Sequence, residues 1–204
     1  MIYRIFIGCI VLACAYFAFD SVRVSWVKFS VSSASENQII SSENANLTVV
    51  EFMDYNCTPC RELHPILMRA IERDGGIRYI LRPVISEYSA AGAASTKLAY
   101  AAEKQGKFFE AHALLIENFT PIDELFIESF ARQLDLDLTK LRQDFEDPRI
   151  EKLAKENANS LGALKTETIP ALLIDGEILF TITSAATPSS DDLLALFNQA
   201  RALQ

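Results

Sequence analysis

Histidine, glycine and proline are scarce in this chain of 204 residues, which holds 2 His, 7 Gly and 7 Pro. So little glycine and proline excludes collagen-like, low-complexity and broadly disordered readings. With two histidines and no second C-x-x-C or H-x-x-x-H pattern, a dedicated zinc module has little to build on. Positive charge is also short, with 19 Lys+Arg against 27 Asp+Glu and a formal net charge of −8. No Lys/Arg-rich run offers a grip on a phosphate backbone, so a nucleic-acid partner is not expected. Four cysteines are too few for a disulfide-stapled scaffold, and their arrangement in two pairs matters more than their number. No internal repeat is present. What remains is an ordinary globular composition, 50% hydrophobic and 23% charged, on a length that suits one domain of about 150–200 residues with a small appendage.

One long hydrophobic run stands apart. Ile5–Phe19 (IFIGCIVLACAYFAF) carries no charge and is bounded by Arg4 and Asp20. Its length lies between the core of a signal peptide and a spanning helix. Ala13-Cys14-Ala15 would serve as a small-x-small cleavage site, whereas Val11-Leu12-Ala13-Cys14 is a poor lipoprotein-type match. Residues 1–19 are therefore read as a signal peptide or, by preference, a membrane anchor, and the rest of the chain as exported. Cys9 and Cys14 then take no part in chemistry in the aqueous body. The Ser/Asn-rich stretch that follows, Ser30–Asn46, makes residues 20–46 a tether with little order.

The body reads as β-α-β, a block of helices, then β-β-α. Leu47–Phe52 is a β-branched apolar run of strand length, and Thr58–Asp74 has apolar residues at helical spacing, stopped by Gly75-Gly76. Ile77–Ile85 alternates as a second strand. Ser89–Asn118 predicts two Ala-rich helices broken near Gln105-Gly106, followed by helices over Asp123–Leu134, Thr139–Phe145 and Pro148–Leu161. Pro170–Phe180 predicts a hairpin turning at Asp175-Gly176, and Ser190–Leu203 a terminal helix with acidic residues in its first turn.

Cys57-Thr58-Pro59-Cys60 stands where the first strand gives way to a helix. A C-x-x-C pair there puts both sulfurs in the first turn, within disulfide reach. The first sulfur faces unpaired backbone N–H groups and the positive end of the helix dipole. Such donors stabilise a thiolate, so Cys57 is the expected nucleophile and Cys60, one turn in, the resolving thiol. Pro59 is tolerated because first-turn N–H groups have no intrahelical partner. A structural disulfide and a metal site built from Cys57, Cys60 and His64, with His112 as fourth ligand, are the competing readings.

The approach Val50-Glu51-Phe52-Met53-Asp54-Tyr55-Asn56 into the cysteines, followed by His64-Pro65, resembles the DsbA-like thiol–disulfide oxidoreductases of the bacterial envelope. Arg82-Pro83-Val84-Ile85, the Ala90–Ala94 region, Ala102–His112 and Leu161-Gly162 before Thr168-Ile169-Pro170 carry the same likeness, which spans about residues 47–200. The resemblance implies an α/β thioredoxin-like fold in two parts (47–88 and 162–204) with an inserted α-helical domain (89–161). It implies that Pro170 is a cis-proline facing the disulfide, and that Ile169 and Thr168 offer backbone to an extended substrate peptide, as in strand addition. It also makes Glu51 a buried acid able to shuttle the proton of Cys60; a strand-edge glutamate in water is the alternative.

His64 and His112 fit family positions, but His64 reads as a packing or surface residue and His112 as a hydrogen-bonded structural one, and Phe108 and Phe109 read as core. Three features depart from the family pattern. Thr58-Pro59 replaces the Pro-His of the strongest oxidants and is similar to the reducing thioredoxins in its proline. The segment Leu161–Pro170 is longer than usual, with Thr-Ile before the proline. The glycine expected after the hairpin is replaced by the stretch Thr181–Thr187. The expectation is an envelope enzyme, most simply an oxidase, with a reductase or isomerase, or a Cu/Zn-binding protein, as alternatives. It needs no dissociable cofactor and no metal. Its partners would be cysteine-containing exported proteins and a membrane thiol oxidant or reductant, and it would act in the periplasm as a monomer.

Overall fold

The computed structural model describes residues 2–85, 90–182 and 187–204, and the side chains of 2–9, 11, 12, 90 and 91 lie outside that description. The element order is α1 (Ile2–Ser32), a 3-10 turn (Glu36–Gln38), β1 (Ile39–Ser41), β2 (Leu47–Met53), α2 (Thr58–Asp74), β3 (Ile77–Pro83), α3 (Ala90–Glu103) and α4 (Phe108–Glu117). It continues with α5 (Glu124–Gln133), α6 (Leu138–Phe145), α7 (Pro148–Ala163), β4 (Ala171–Ile174), β5 (Ile178–Thr181) and α8 (Ser190–Arg201).

Among the described residues five strands form one sheet in the order β1-β3-β2-β4-β5, parallel between β2 and β3 and antiparallel elsewhere. β2 is central and buried along nearly its whole length, as expected of an apolar run covered on both faces. Its side chains alternate. Val49 and Met53 join the core beneath α2 and α8 with Leu63, Leu67, Leu193 and Phe197, whereas Val50 and Phe52 face the opposite layer with Leu161, Leu164 and Val27. The hairpin between β4 and β5 turns through Asp175 (φ 52°) and Gly176 (φ 70°), two left-handed positions for which Asp-Gly is the favoured pair. Asp123, Asp137 and Asp147 accept backbone N–H groups at the starts of α5, α6 and α7, and Ser189 with Asp192 forms a capping box on α8. Phe108 is fully buried and stacks on Tyr100, and Phe109 is partly buried against the same core.

Residues 20–46 are not a tether. Residues 20–32 continue α1, and Ile39–Ser41 pairs antiparallel with β3 at the sheet edge. The reason lies in β3, where Arg82 is buried with its guanidinium donating to the carbonyls of Val31 and Ser33 and to Gln38 Oε1 at 2.8 Å. Arg78 donates to Ser32 O at 3.0 Å. Two arginines thus satisfy the carbonyls at the C-terminal end of α1, where a cation is also favoured by the helix dipole. Val27 and Val31 add apolar contact with the sheet. A polar-looking stretch is ordered by partners distant in sequence.

Among the described residues no helix is long and apolar enough to cross a membrane. Within the 5–19 stretch expected to anchor the chain, the side chains of residues 5–9, 11 and 12 lie outside the described residues. The helical boundary expected at 161 falls inside α7, whose Leu161 packs on the sheet layer holding Val50 and Phe52. The boundary at 88–89 and most of the Thr181–Thr187 stretch lie outside the described residues.

Candidate active site

Cys57 is the N-cap of α2, and its sulfur accepts the backbone N–H of Cys60 at 3.3 Å. The turn before it is set by Asp54, whose carboxylate accepts the N–H of Asn56 at 2.7 Å and whose carbonyl accepts that of Cys57 at 3.0 Å. Thr58 and Pro59 occupy the first two helical positions and are exposed. Cys57 and Cys60 form a disulfide with a Cα–Cα distance of 5.3 Å. The two sulfurs have different access, since Cys57 is half-buried and Cys60 fully buried. The N-cap position gives Cys57 the electrostatic setting that favours a thiolate.

The chain returns to this point just before β4. The Ile169–Pro170 peptide bond is cis, and the carbonyl oxygen of Ile169 lies 3.9 Å from Cys57 Sγ. Pro170 is buried, Ile169 half-buried and Thr168 exposed. Thr168 stands further out on the same loop, where its N–H donates to Thr166 Oγ1 at 3.1 Å. The structure therefore brings Cys57, Cys60, Ile169 and Pro170 together.

Glu51 sits on β2 between Val49 and Met53 on the face covered by α2, with no solvent exposure. A strand-edge position in water is excluded because β3 and β4 flank it, pairing Glu51 with Leu81 and Leu172. Its Oε2 accepts the hydroxyl of Tyr79 at 2.5 Å and lies 3.0 Å from His64 Nδ1, whereas Oε1 is buried with no hydrogen-bond partner among the described residues. His64 is not a surface residue, and it does more than pack. Its Nε2 lies 3.1 Å from His112 Nε2, and His112 Nδ1 lies 3.1 Å from the hydroxyl of Tyr55. Glu51, His64, His112 and Tyr55 form one continuous chain from the central strand to α4 and back to the turn before Cys57, buried except at the partly exposed His64. Burial pushes the hydroxyls of Tyr79 and Tyr55 well above their ordinary range. Burial, reinforced by His64, holds His112 well below the usual histidine value.

Sequence reasoning had one signal for half of this chain. His64 lies four residues after Cys60, which puts both on one face of α2, the face that looks at Glu51. Nothing in the sequence tied His112, 48 residues further on, to His64.

Beside Thr58 lies a cavity of about 460 Å³, lined by Tyr55, Asn56, Thr58, Arg61, Asn118 and Phe119 among others. Arg61 donates to Tyr55 O at 2.6 Å and to Asn118 O, and its guanidinium lies over the exposed Phe119 ring at 4.1 Å. Among the described residues, no three His, Cys, Asp or Glu side chains are grouped so as to hold a metal ion.

A family model described as Thioredoxin matches residues 33–194. Among solved structures, the chain is similar to the thiol-disulfide exchange protein alpha-DsbA2 from Wolbachia pipientis, with a TM-score of 0.65 and 21% identity over 90% of this chain and 98% of that one. It is likewise similar to a periplasmic thioredoxin-like protein from Salmonella enterica serovar Typhimurium, with a TM-score of 0.68 and 18% identity over 86% and 97% of the two chains. At these identities the likeness is one of fold. The Na(+)/H(+) antiporter NhaA 3 from Salinispora tropica is 25% identical over 133 residues, which is 65% of this chain. The chain spans about a fifth of the length of the curated relatives it matches.

Proposed function

The chain belongs to the thioredoxin family, and from that membership we propose that it is an envelope thiol–disulfide oxidoreductase acting on exported proteins, most simply as an oxidase. One observation carries the reading. A half-buried cysteine at a helix N-cap is bonded to a fully buried partner, and a loop carbonyl lies 3.9 Å from its sulfur. The fold and the disulfide-forming pair support thiol–disulfide exchange, and a fold neighbour described as periplasmic supports the compartment.

A substrate thiolate attacks Cys57, the accessible sulfur, and the Cys57–Cys60 bond breaks with Cys60 leaving as the thiolate. Cys60 takes up a proton, for which Glu51, a buried acid on the face of the sheet that α2 covers, is the assigned donor. A second substrate thiolate attacks the substrate sulfur of the mixed disulfide and expels Cys57, whose thiolate the N-cap stabilises. Two electrons have then passed from the substrate dithiol to the protein. A membrane thiol oxidant accepts them in the next half-cycle, and no dissociable cofactor enters. Ile169 and Thr168 present backbone to the substrate segment flanking its cysteine, since Pro170 has no N–H of its own to offer. The enzyme acts as a monomer.

Pro59 before Cys60 favours a second reading, in which the same residues run in the reducing direction. Equilibrating the protein with glutathione buffers and quantifying the Cys57–Cys60 disulfide separates the two. A reduction potential near −120 mV, roughly the DsbA value, is expected for the oxidase, and one near −270 mV, roughly the thioredoxin value, reverses the direction. A pair that never titrates between dithiol and disulfide refutes both.

A further inference from the structure

The buried chain Tyr55–His112–His64–Glu51 is longer than a packing role requires, and each link has the geometry of a hydrogen bond, between 3.0 and 3.1 Å. We infer that it is a proton relay, with His64 and His112 as positioning residues that recharge Glu51 after it has protonated Cys60. The inference rests on the exchange reading above.

The hydrogen-bond inventory carries the argument. A neutral imidazole has one donor nitrogen and one acceptor nitrogen. In one arrangement Tyr55 donates to His112 Nδ1, His112 Nε2–H donates to His64 Nε2, and His64 Nδ1–H donates to an ionised Glu51. In the other, Glu51 carries a proton and donates to His64 Nδ1, His64 Nε2–H donates to His112 Nε2, and His112 Nδ1–H donates to the Tyr55 oxygen. The two arrangements satisfy the same three contacts and differ by a single proton. A proton entering at Tyr55 leaves at Glu51, and both histidines end neutral with their tautomers exchanged. No imidazolium need persist in the core, which matters because His112 is buried and held well below its ordinary pKa.

The surroundings fit a one-proton path. Tyr79 from β3 donates to Glu51, and Cys60 lies one turn before His64 on the same helix. At the other end the Tyr55 side chain is under the influence of Tyr100 of α3 and of Glu51, its backbone carbonyl accepts from Arg61, and the residue lines the cavity beside Thr58. That cavity is the entry side. The proton balance closes: breaking the Cys57–Cys60 bond by thiolate attack releases one Cys60 thiolate, Glu51 supplies one proton to it, and one proton enters at Tyr55.

The test is the rate at which dithiothreitol reduces the disulfide of the full chain between pH 5 and 8, in H2O and in D2O. The variants are His64→Gln, His112→Gln and Tyr55→Phe, each checked for its fold by circular dichroism. A glutamine amide can donate and accept but cannot exchange tautomers, so it separates bonding from transfer. Folded glutamine variants are expected to react about tenfold more slowly, with a flattened pH profile and a larger solvent isotope effect. Wild-type rates and profiles in those variants overturn the relay and leave the network purely structural. Should both glutamine variants fail to fold, Tyr55→Phe, which removes only the outer hydroxyl, decides: slower reduction supports the relay and an unchanged rate overturns it. A wild-type disulfide that no thiol reduces refutes the exchange reading itself, and the relay with it.

Discussion

Acidifying the oxidised protein from pH 7 to pH 5 should cost it stability through His112, and by an amount that can be worked out. His112 is about 3% exposed, and burial together with neighbouring His64 keeps its pKa well below the ordinary histidine value. In the unfolded chain it titrates near 6.5. Below that pH the unfolded state binds a proton that the folded state refuses, so the folded state loses ground as pH falls and regains it as pH rises. For a folded state that stays neutral throughout, the difference between pH 7 and pH 5 is about 2 kcal/mol, from RT ln(1 + 10^(pKa−pH)) at the two ends. In a chain of this size that corresponds to roughly 4–8 °C in Tm. The carboxylates held low by partners, among them Asp74 beside Arg201, give stability that is lost only as pH falls below their unfolded values near 4, so they do not blur this window. Urea unfolding of wild type and His112→Gln at pH 7, 6 and 5, with the disulfide kept intact, isolates the contribution. Wild type should lose about 2 kcal/mol more than the variant over the range. Parallel losses in the two proteins would mean that His112 takes up its proton in the folded state, and its placement as a buried neutral ring would be wrong.

Two further outcomes follow from the packing. Arg82→Met should undock the end of α1, because the carbonyls of Val31 and Ser33 and the amide of Gln38 lose their donor; a loss of about 2–4 kcal/mol and new proteolytic cleavage between residues 33 and 46 are expected. Ser189→Ala removes one half of the capping box on α8, and urea unfolding should show a loss of about 1 kcal/mol with unchanged thiol exchange.

Most of the fold was legible because its local signals agree with its tertiary ones. The β-branched run at Leu47–Phe52 became the central strand, and Asp175-Gly176 made the turn between β4 and β5. Gly75 and Gly106, both at positive φ, stopped the helices they were expected to stop. The redox pair was legible for the same reason: a cysteine pair at a strand–helix junction needs only local geometry to reach across one turn. Residues 20–46 were misjudged because composition speaks only of what a segment can do alone. The order there comes from Arg78 and Arg82, more than 30 residues later, and from an edge of β3 that accepts Ile39–Ser41. Serine and asparagine do not prevent a chain from pairing once a sheet edge and buried guanidinium groups are supplied.

The histidines were illegible for a related reason, and the reason bears on what the inserted helices do. Glu51, Tyr79 and His64 come from the thioredoxin part, and His112 comes from α4 of the insertion. An insertion that only covered the sheet would bring apolar side chains to that face and leave His64 Nε2 buried without an acceptor or donor, at a cost of about 1–3 kcal/mol. Instead α4 supplies the one ring that links His64 to Tyr55, while Phe108, Ala111 and Leu115 of the same helix anchor it in the core. The helical block is thereby part of the floor beneath the redox helix. Exchanging that block for one without a histidine at this position should alter proton delivery to Cys60 before it alters the reach of Cys57.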